Sequence, residues 1–256
     1  MHGHTFSIFN KQPVVKHFVS SRVGGVSVGK YASLNLSLQS GDTIENVLEN
    51  RSRIAAHFKI KPDNLVLPLQ EHTNNVVAIK GEKKPDLSAT DGLITNSPNI
   101  CIGVLAADCV PILLFDPVQK VVGALHAGWK GTVQNIVGVA VEKMISRFKC
   151  LPESILAGIG PSISQKNYET GAEVIEKVAE LVGNTKPYIC NEQPTGKACL
   201  DLWKLNRQLL VNVGVQAANI ELAGVCTYDN EANYFSARRD GFHSGRFGSF
   251  IMIAEM

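Results

Sequence analysis

The sequence has little net charge, no run of residues apolar enough to cross a membrane, and few cysteines. Its 256 residues carry 25 Lys and Arg against 23 Asp and Glu, a formal net charge of +2. This balance lacks the concentrated basic surface of nucleic-acid-binding proteins, so we expect no nucleic acid partner. The longest apolar runs, 100–107 and 110–115, are shorter than the roughly 20 residues that span a bilayer. We therefore expect no membrane association.

The six cysteines include no Cys-x-x-Cys pair and are too sparse for a disulfide scaffold. Cys190 and Cys199 could bridge in an oxidising compartment, but we predict that both stay unpaired. The first residues lack the basic region, apolar stretch and cleavage site of a signal peptide. These features predict a cytoplasmic protein with reduced thiols.

Apolar residues at helical spacing predict several amphipathic helices. The predicted ranges are 43–58, 132–148, 170–182 and 201–213. Asp42 followed by Glu45 resembles a capping box at the start of the first helix. Asp201 and Gly214 are typical of the start and the end of the last one.

Short segments rich in Val, Ile and Leu predict strands between these helices. The predicted strands are 65–69, 76–79, 92–95, 100–105, 111–115 and 121–125. Runs of strands between separated helices favour an α+β arrangement over a regularly alternating doubly wound sheet. With no repeat, low-complexity stretch or clear linker, we interpret residues 1–256 as a single catalytic domain.

Three short motifs place reactive side chains at the ends of predicted strands: His72, Cys109 and His126. If the strands pair, one thiol and two imidazoles meet in one pocket. A thiolate beside a histidine is an activated nucleophile, whereas a thiolate and two imidazoles fill three positions around zinc. Three protein ligands and one solvent position describe a catalytic zinc site. The spacings of 37 and 17 residues do not decide between these alternatives.

Structural explanations compete with each of these roles. Free cysteine is among the most buried residue types, so Cys109 also fits a core position. His72 by itself fits an exposed surface position. Asp108 argues against a purely structural motif, because an unpaired buried carboxylate costs several kcal/mol. We expect Asp108 to face a cleft or to bond a neighbour such as a histidine, where it could relay protons.

Two further segments carry groups suited to anions or sugars. Arg22 precedes the Gly-Gly pair at 24–25, and Asn35 lies in a following Ser-Leu-Asn-Leu segment. Backbone N–H groups and a cation there can bind an anion, although a hairpin turn uses the same glycines. The segment 236–246 holds three arginines, among them Arg238, which suits either phosphate binding or a solvated loop. Taken singly, each segment favours the structural explanation.

Together the motifs resemble those of the family that contains YfiH and YlmD. This is the multicopper polyphenol oxidoreductase or laccase-domain family, whose members are described as purine nucleoside phosphorylases. The resemblance rests on Arg-Val-Gly-Gly-Val-Ser at 22–27, Ser-Leu-Asn-Leu at 33–36, Gly-Asp at 41–42, Ala-Asp-Cys-Val-Pro at 107–111, His-Ala-Gly-Trp at 126–129, Ile-Gly-Pro at 159–161, Cys-Thr at 226–227, Phe-Ser at 235–236 and Arg-Arg-Asp-Gly at 238–241. It implies that His72, Cys109 and His126 are zinc ligands. It also implies a layered α+β sandwich of central β-sheets flanked by helices, similar to the catalytic domain of cytotoxic necrotizing factor.

The sequence departs from the family pattern at three positions. Thr73 replaces the usual glycine, Lys130 the usual arginine, and Ser162 the usual cysteine. All three expected ligands are retained. Lys130 keeps its charge but loses the bidentate fork of arginine, which is expected to alter the binding of an anion.

The resemblance implies a zinc-dependent purine nucleoside phosphorylase acting on adenosine, inosine, guanosine and S-methyl-5'-thioadenosine, with adenosine deaminase as a side activity. The expected partners are therefore purine nucleosides and phosphate. Asp108 joins the three ligands as a catalytic candidate. The candidate residues for binding substrate or phosphate are Arg22, Asn35, Gln70, Lys130 and Arg238.

Three other functions are alternatives. A multicopper polyphenol oxidase needs many imidazoles, whereas the seven histidines are scattered and pair only as His2 and His4. A single copper at the three zinc ligands remains open. A metal-free hydrolase would use Cys109 as nucleophile and His126 as base. A non-catalytic binding module is the least favoured, and the preferred nucleoside and the oligomeric state stay open.

Overall fold

Short apolar strands and amphipathic helices follow one another along the chain, of which the computed structural model describes residues 1–81 and 85–255. The strands are β1 (Gly3–His4), β2 (Val15–Ser20), β3 (Leu65–Val66), β4 (Val76–Ile79), β5 (Gly92–Thr95), β6 (Cys101–Ala106), β7 (Val110–Asp116), β8 (Val121–Ala127), β9 (Leu156–Ile159), β10 (Glu169–Thr170), β11 (Ile189–Cys190), β12 (Ala198–Leu200), β13 (Ile220–Leu222) and β14 (Phe247–Ile253). The helices are α1 (Ser7–Asn10), α2 (Ile44–Phe58), α3 (Trp129–Val133), α4 (Ile136–Phe148), α5 (Ala172–Val182), α6 (Leu202–Asn212) and α7 (Ala237–Asp240). Within the described ranges, no helix has both the length and the apolar character needed to cross a bilayer.

The strands form two large sheets and one small one. The five-stranded sheet has the order β1-β2-β14-β6-β3, and the six-stranded sheet has the order β13-β9-β7-β8-β5-β4. The small sheet has the order β10-β12-β11. Most neighbours are antiparallel, whereas β3 with β6, β4 with β5, and β13 with β9 are parallel. This mixture agrees with the α+β arrangement predicted from the sequence.

The apolar side chains define four layers. Between the two large sheets, Leu113 and Phe115 of β7 pack with Val104 and Ile251 of the five-stranded sheet. Because successive residues of a strand face opposite sides, the intervening side chains of β7 meet the layer that contains α4 and α6. On the far side of the five-stranded sheet, α2 contributes apolar side chains to a third cluster with β2 and β14. The layered sandwich flanked by helices is thus confirmed.

Helix ends differ from the predicted ones where local capping decides. Thr43 caps α2 by accepting from the Asn46 N–H, so the predicted start at Asp42 is wrong by one residue. The predicted helix 132–148 is divided into α3 and α4. Asn135 takes a left-handed conformation with φ 55° and caps α4. Asp201 caps α6 as predicted, accepting from the Lys204 N–H.

Several strands were not predicted, and one is shorter than predicted. The missed strands include β2, β9 and β14, and β14 is the central strand of the five-stranded sheet. The β14 sequence mixes Gly and Ser with apolar residues, so it lacks a clear period-two pattern. Strand β3 ends at Val66, two residues before Pro68, which cannot donate to a ladder. The segment that follows forms a wall of the candidate site instead.

Candidate functional site

The three predicted ligands meet at one end of the six-stranded sheet. His126 is near the end of β8, and Cys109 lies in the turn that leads from β6 into β7. Strand β7 pairs with β8 so that its first residue, Val110, lies opposite Ala127. This register brings Cys109 beside His126, and the loop after β3 brings His72 to the same point. The ligand atoms of the three residues all lie within 4.8 Å of one another.

The geometry of this cluster suits a tetrahedral metal. Cys109 Sγ is 3.8 Å from His72 Nε2. The rings of His72 and His126 are 4.9 Å apart and steeply inclined. Zinc bonds of about 2.0–2.3 Å in tetrahedral geometry separate two ligand atoms by about 3.3–3.8 Å. Among residues 1–81 and 85–255, this is the one cluster of three such ligand side chains. Three ligands would leave one position of a tetrahedral metal free.

Asp91, which was not predicted from the sequence, is a buried carboxylate behind the cluster. Its Oδ1 lies 2.8 Å from Nδ1 of His126, and this contact leaves Nε2 of that ring for a metal. The same carboxylate accepts the backbone N–H groups of His72 at 3.0 Å and Thr73 at 2.7 Å. His72 has a left-handed backbone with φ 61°, a conformation that costs about 1–2 kcal/mol in a non-glycine residue. Asp91 therefore orients one ligand directly and holds the strained turn that carries another.

Mutual electrostatics shift the pKa values of these groups. Burial acts to raise the pKa of Asp91, but hydrogen bonds from His126 and Thr73 outweigh it and lower the value to about 2. Burial likewise acts to raise the pKa of Cys109, and the two histidines lower it to about 6. Burial acts to lower the pKa of His126, whereas Cys109 and Asp91 raise it to about 9. Without metal, these shifts favour a thiolate beside an imidazolium, and metal binding would then release the imidazolium proton.

Asp108, predicted to be catalytic, anchors the turn before Cys109. Its carboxylate is buried and accepts from Thr227 Oγ1 at 2.6 Å, Ser236 Oγ at 3.0 Å and the Arg238 N–H at 2.7 Å. These bonds tie the turn to the start of α7. Asp108 also has a left-handed backbone, with φ 89°. Its side chain is absent from the residues that line the adjoining cavity, and its role in proton relay stays a prediction.

A cavity of about 350 Å³ opens beside the three ligands. Its walls come from the loop 37–40, α2, the segment 67–72, the end of β6 and the segment 237–246. The lining residues are Ser37, Leu38, Gln39, Ser40, Arg51, Leu67, Pro68, Leu69, Gln70, His72, Leu105, Ala106, Ala107, Cys109, His126, Ala237, Phe242 and Arg246. Gln70, a predicted binding residue, lies in this lining. Its side-chain amide both donates to and accepts from the backbone of Leu105, which fixes one wall.

Three predicted binding cations are placed away from this lining. Arg22 donates through Nε to the carbonyl of Ala32 at 2.8 Å, and its guanidinium lies over the Phe235 ring. Lys130 lines a separate groove between α3 and α5. Arg238 donates to the carbonyl of Glu169 at 3.0 Å. None of these three residues is among those that line the cavity beside the three candidate ligands.

Asn35 lies behind a wall of the cavity. Its side chain is fully buried and donates to Ser40 Oγ at 2.8 Å. Its side-chain Oδ1 accepts the backbone N–H of Arg246 at 2.9 Å. Asn35 therefore joins the loop 37–40 to the segment that carries Arg246, and it shapes the cavity without lining it.

Arg51 is the cation that sequence reasoning missed. It lies on α2 and donates through Nε to the carbonyl of Leu36 at 2.9 Å. Burial lowers the pKa of Arg51 to about 10, and no carboxylate in the described part of the chain pairs with it. An unpaired, partly buried guanidinium in a cavity is suited to an anion. In the sequence, position 51 is three residues from both Leu48 and Ile54 and so falls on the apolar stripe of the helix, a spacing that indicates partial burial of this arginine.

Comparison with known proteins identifies the family. The family described as multi-copper polyphenol oxidoreductase laccase matches residues 16–254, and the chain belongs to it. Purine nucleoside phosphorylase of Bacteroides thetaiotaomicron is 38% identical over 247 residues, which cover 93% of this chain and 92% of that protein. Adenosine deaminase RL5, from an unknown prokaryotic organism, is 38% identical over 224 residues, covering 84% and 85%. The crystal structure of the Bacillus licheniformis hypothetical protein YfiH, 33% identical, matches with a TM-score of 0.91 over 96% of this chain and 94% of that one.

These similarities confirm the resemblance and the fold predicted from the sequence. Relatives that align along nearly the whole chain are named as enzymes of purine nucleosides, which supports an enzyme of this kind.

Proposed function

We propose that the protein is a zinc-dependent purine nucleoside phosphorylase that acts on adenosine, inosine, guanosine and S-methyl-5'-thioadenosine. The observation that carries this proposal is the opening of the cluster His72, Cys109 and His126 into a cavity with an unpaired arginine. The names of the relatives support the reaction. The cytoplasmic location expected from the sequence belongs to the same proposal.

The donor set fits zinc better than several coppers. A thiolate and two imidazoles are ordinary zinc ligands, and Asp91 supplies the carboxylate that typically supports a metal-binding histidine. When bound, zinc supplies a Lewis acid with one open coordination position. A multicopper oxidase needs further clusters of ligands, and the described residues provide this single one. One copper at the same ligands is an outcome that metal analysis distinguishes.

The residues of the chain bind and orient the two substrates. Phosphorolysis breaks the bond between C1′ and the purine nitrogen and forms a bond between C1′ and a phosphate oxygen, and the base leaves with one added proton. We assign the phosphate to Arg51, which lines the cavity and donates to the protein backbone through Nε. Arg246 is occupied by the carbonyls of residues 242, 244 and 245 and holds that wall in place.

Arg51→Ala is expected to raise the KM for phosphate by about 10- to 100-fold, because a hydrogen bond to a charged group contributes about 1.5–3 kcal/mol. The KM for inosine should change much less. Arg22→Ala is the matched comparison, since Arg22 was the phosphate candidate in the sequence and lies outside the cavity lining. Steady-state kinetics with varied phosphate measure both variants. A larger effect of Arg22→Ala would instead assign phosphate binding to Arg22 and the Gly-Gly pair at 24–25.

Phe242 is expected to stack on the purine base. Its side chain is 85% exposed, lines the cavity and stands with the half-exposed Leu38 and Leu69 at the rim. Stacking of a base on an aromatic ring contributes about 1–3 kcal/mol, so Phe242→Ala should raise the KM for nucleosides on the order of tenfold. Phe242→Tyr should preserve it, and Val118→Ala, at an exposed position outside the lining, should have no effect. An unchanged KM in Phe242→Ala would contradict the assignment.

Product analysis with and without phosphate tests the proposed function. Protein of known metal content is incubated with adenosine or inosine, and the products are separated by chromatography. Phosphate-dependent release of adenine and hypoxanthine, lost on chelation and restored by zinc, is the expected result. Activity that survives complete metal removal would favour the cysteine hydrolase. Oxidation of 2,6-dimethoxyphenol that depends on copper would favour the polyphenol oxidase.

Adenosine deamination is a second candidate. The alignment with adenosine deaminase RL5 and the free coordination position beside the cavity favour it. Deamination replaces the amino group of adenine with oxygen from water and needs no phosphate. Inosine and ammonia formed from adenosine in phosphate-free buffer would establish this activity, and their absence would restrict the enzyme to phosphorolysis.

A further inference from the structure

Two thiols outside the cavity lie side by side on the small sheet of β10, β12 and β11. Cys190 and Cys199 are direct partners across the antiparallel strands β11 and β12. Cys190 is exposed, whereas Cys199 is buried, and both are free thiols in the structure. The pair therefore has one sulfur open to solvent and a second one behind it.

The strand register places the two cysteines at the separation that a disulfide requires. Direct partners on antiparallel strands have Cα atoms about 4.5–5.5 Å apart and side chains on the same face. A disulfide spans Cα separations of about 4.4–6.8 Å. The Cys199 thiol is also among the groups that, after burial, raise the pKa of Cys190.

The surrounding backbone fixes this register. In the turn that joins the strands, the Gln193 N–H donates to the Lys197 carbonyl at 2.8 Å, and the Gly196 N–H donates back to Gln193 at 2.9 Å. Strand β12 is also held from its other edge by β10. The side-chain amide of Gln165 donates to the carbonyl of Cys199 at 3.3 Å. The buried cysteine thus sits on the central, best-supported strand of the small sheet.

We propose that Cys190 and Cys199 form a thiol-exchange site that reacts with low-molecular-weight disulfides and closes into an intramolecular disulfide. Cys190 is the attacking thiol because it is exposed, and Cys199 is the resolving thiol because it is buried beside it. This modification site is independent of the proposed nucleoside chemistry.

The exchange proceeds in two balanced steps. The Cys190 thiolate attacks one sulfur of the reagent disulfide, the reagent S–S bond breaks, and one reagent thiolate leaves with its electron pair. Cys199 then loses its proton to solvent and attacks the Cys190 sulfur, and the second reagent thiolate leaves. Two protein thiols are oxidised, and one reagent disulfide is reduced to two thiols.

Oxidised glutathione is the probe, and trypsin provides the readout. Lys197 lies between the two cysteines, so cleavage after it puts them on separate peptides that only a disulfide joins. After treatment of the native protein at mildly alkaline pH, we expect the joined peptides as the major product at these positions. Cys109 lies on a different tryptic peptide, so a reaction at the candidate metal site is detected separately from the reaction of Cys190 and Cys199.

Two variants make the order of reaction testable. Cys199→Ser is expected to stop at a stable glutathione adduct on Cys190, whereas Cys190→Ser should leave the buried Cys199 unmodified. A wild-type protein that also stops at the glutathione adduct would overturn the pairing. Joined peptides that form only after addition of urea would overturn it too, because the native strands would then not hold the thiols together. Rapid modification of Cys199 in Cys190→Ser would overturn the assigned order.

Discussion

Cys109→Ser is expected to lose bound metal and catalytic turnover together. Serine nearly preserves the volume of cysteine, but its hydroxyl stays protonated at neutral pH and is a poor zinc ligand. Removing one of three ligands should weaken metal binding by more than about 100-fold, since loss of an outer hydrogen-bonding partner already costs about 10–100-fold. Metal content after dialysis and phosphorolysis of inosine measure the two losses. Circular dichroism should show an unchanged fold.

The exposed Cys190 supplies the matched control for this experiment. Cys190→Ser also replaces a thiol with a hydroxyl, but it lies on the small sheet and should retain both metal and turnover. The combination of results separates the alternatives. Normal metal content without turnover in Cys109→Ser would favour Cys109 as a nucleophile. Normal metal content with normal turnover would contradict both roles.

Asp91→Asn is expected to weaken metal binding by about 10–100-fold without removing any ligand. The amide keeps the size of the carboxylate but loses its charge and cannot accept all five backbone and side-chain donors that reach Asp91. His126 then loses the partner that orients its ring. Competition with a chromophoric zinc chelator measures the affinity. Asp63→Asn, at an exposed carboxylate, is the control.

The same variant should change the pH dependence of stability in the metal-free protein. The folded pKa of Asp91 is about 2, which is below the usual value of about 3.9 in an unfolded chain. Its stabilising contribution, about 2–3 kcal/mol, is therefore fully present above pH about 4 and is lost as the pH falls toward 2. The difference in unfolding free energy between wild type and Asp91→Asn should shrink over that range. A difference that stays constant from pH 5 to pH 2.5 would contradict the role of the charge.

Much of the architecture and the donor set could be predicted from the sequence. Apolar periodicity is set by residues close together in the chain. It therefore predicted α2, α5, α6 and the strands from β4 to β8 to within a few residues of their observed ends. The chemistry of His72, Cys109 and His126 is carried by the side chains themselves, and short motifs at strand ends were enough to select them. The cap of α6 at Asp201 is equally local.

Only the tertiary structure decided which polar groups support the candidate ligands and which line the cavity. Asp91 is 35 residues from His126 in the chain, and only the pairing of β5 with β8 brings them together. Asp108, expected to face a cleft or to bond a neighbour such as a histidine, is bonded to residues more than 110 positions later in the chain. Whether a partly buried arginine faces a cavity depends on how loops close over its helix, so the helical spacing of Arg51 did not reveal the cavity beside it. The sequence by itself thus determined the candidate donor atoms and the layered fold, because both arise from side-chain chemistry and local periodicity. The sheet register and loop packing, which join distant segments, decided their partners.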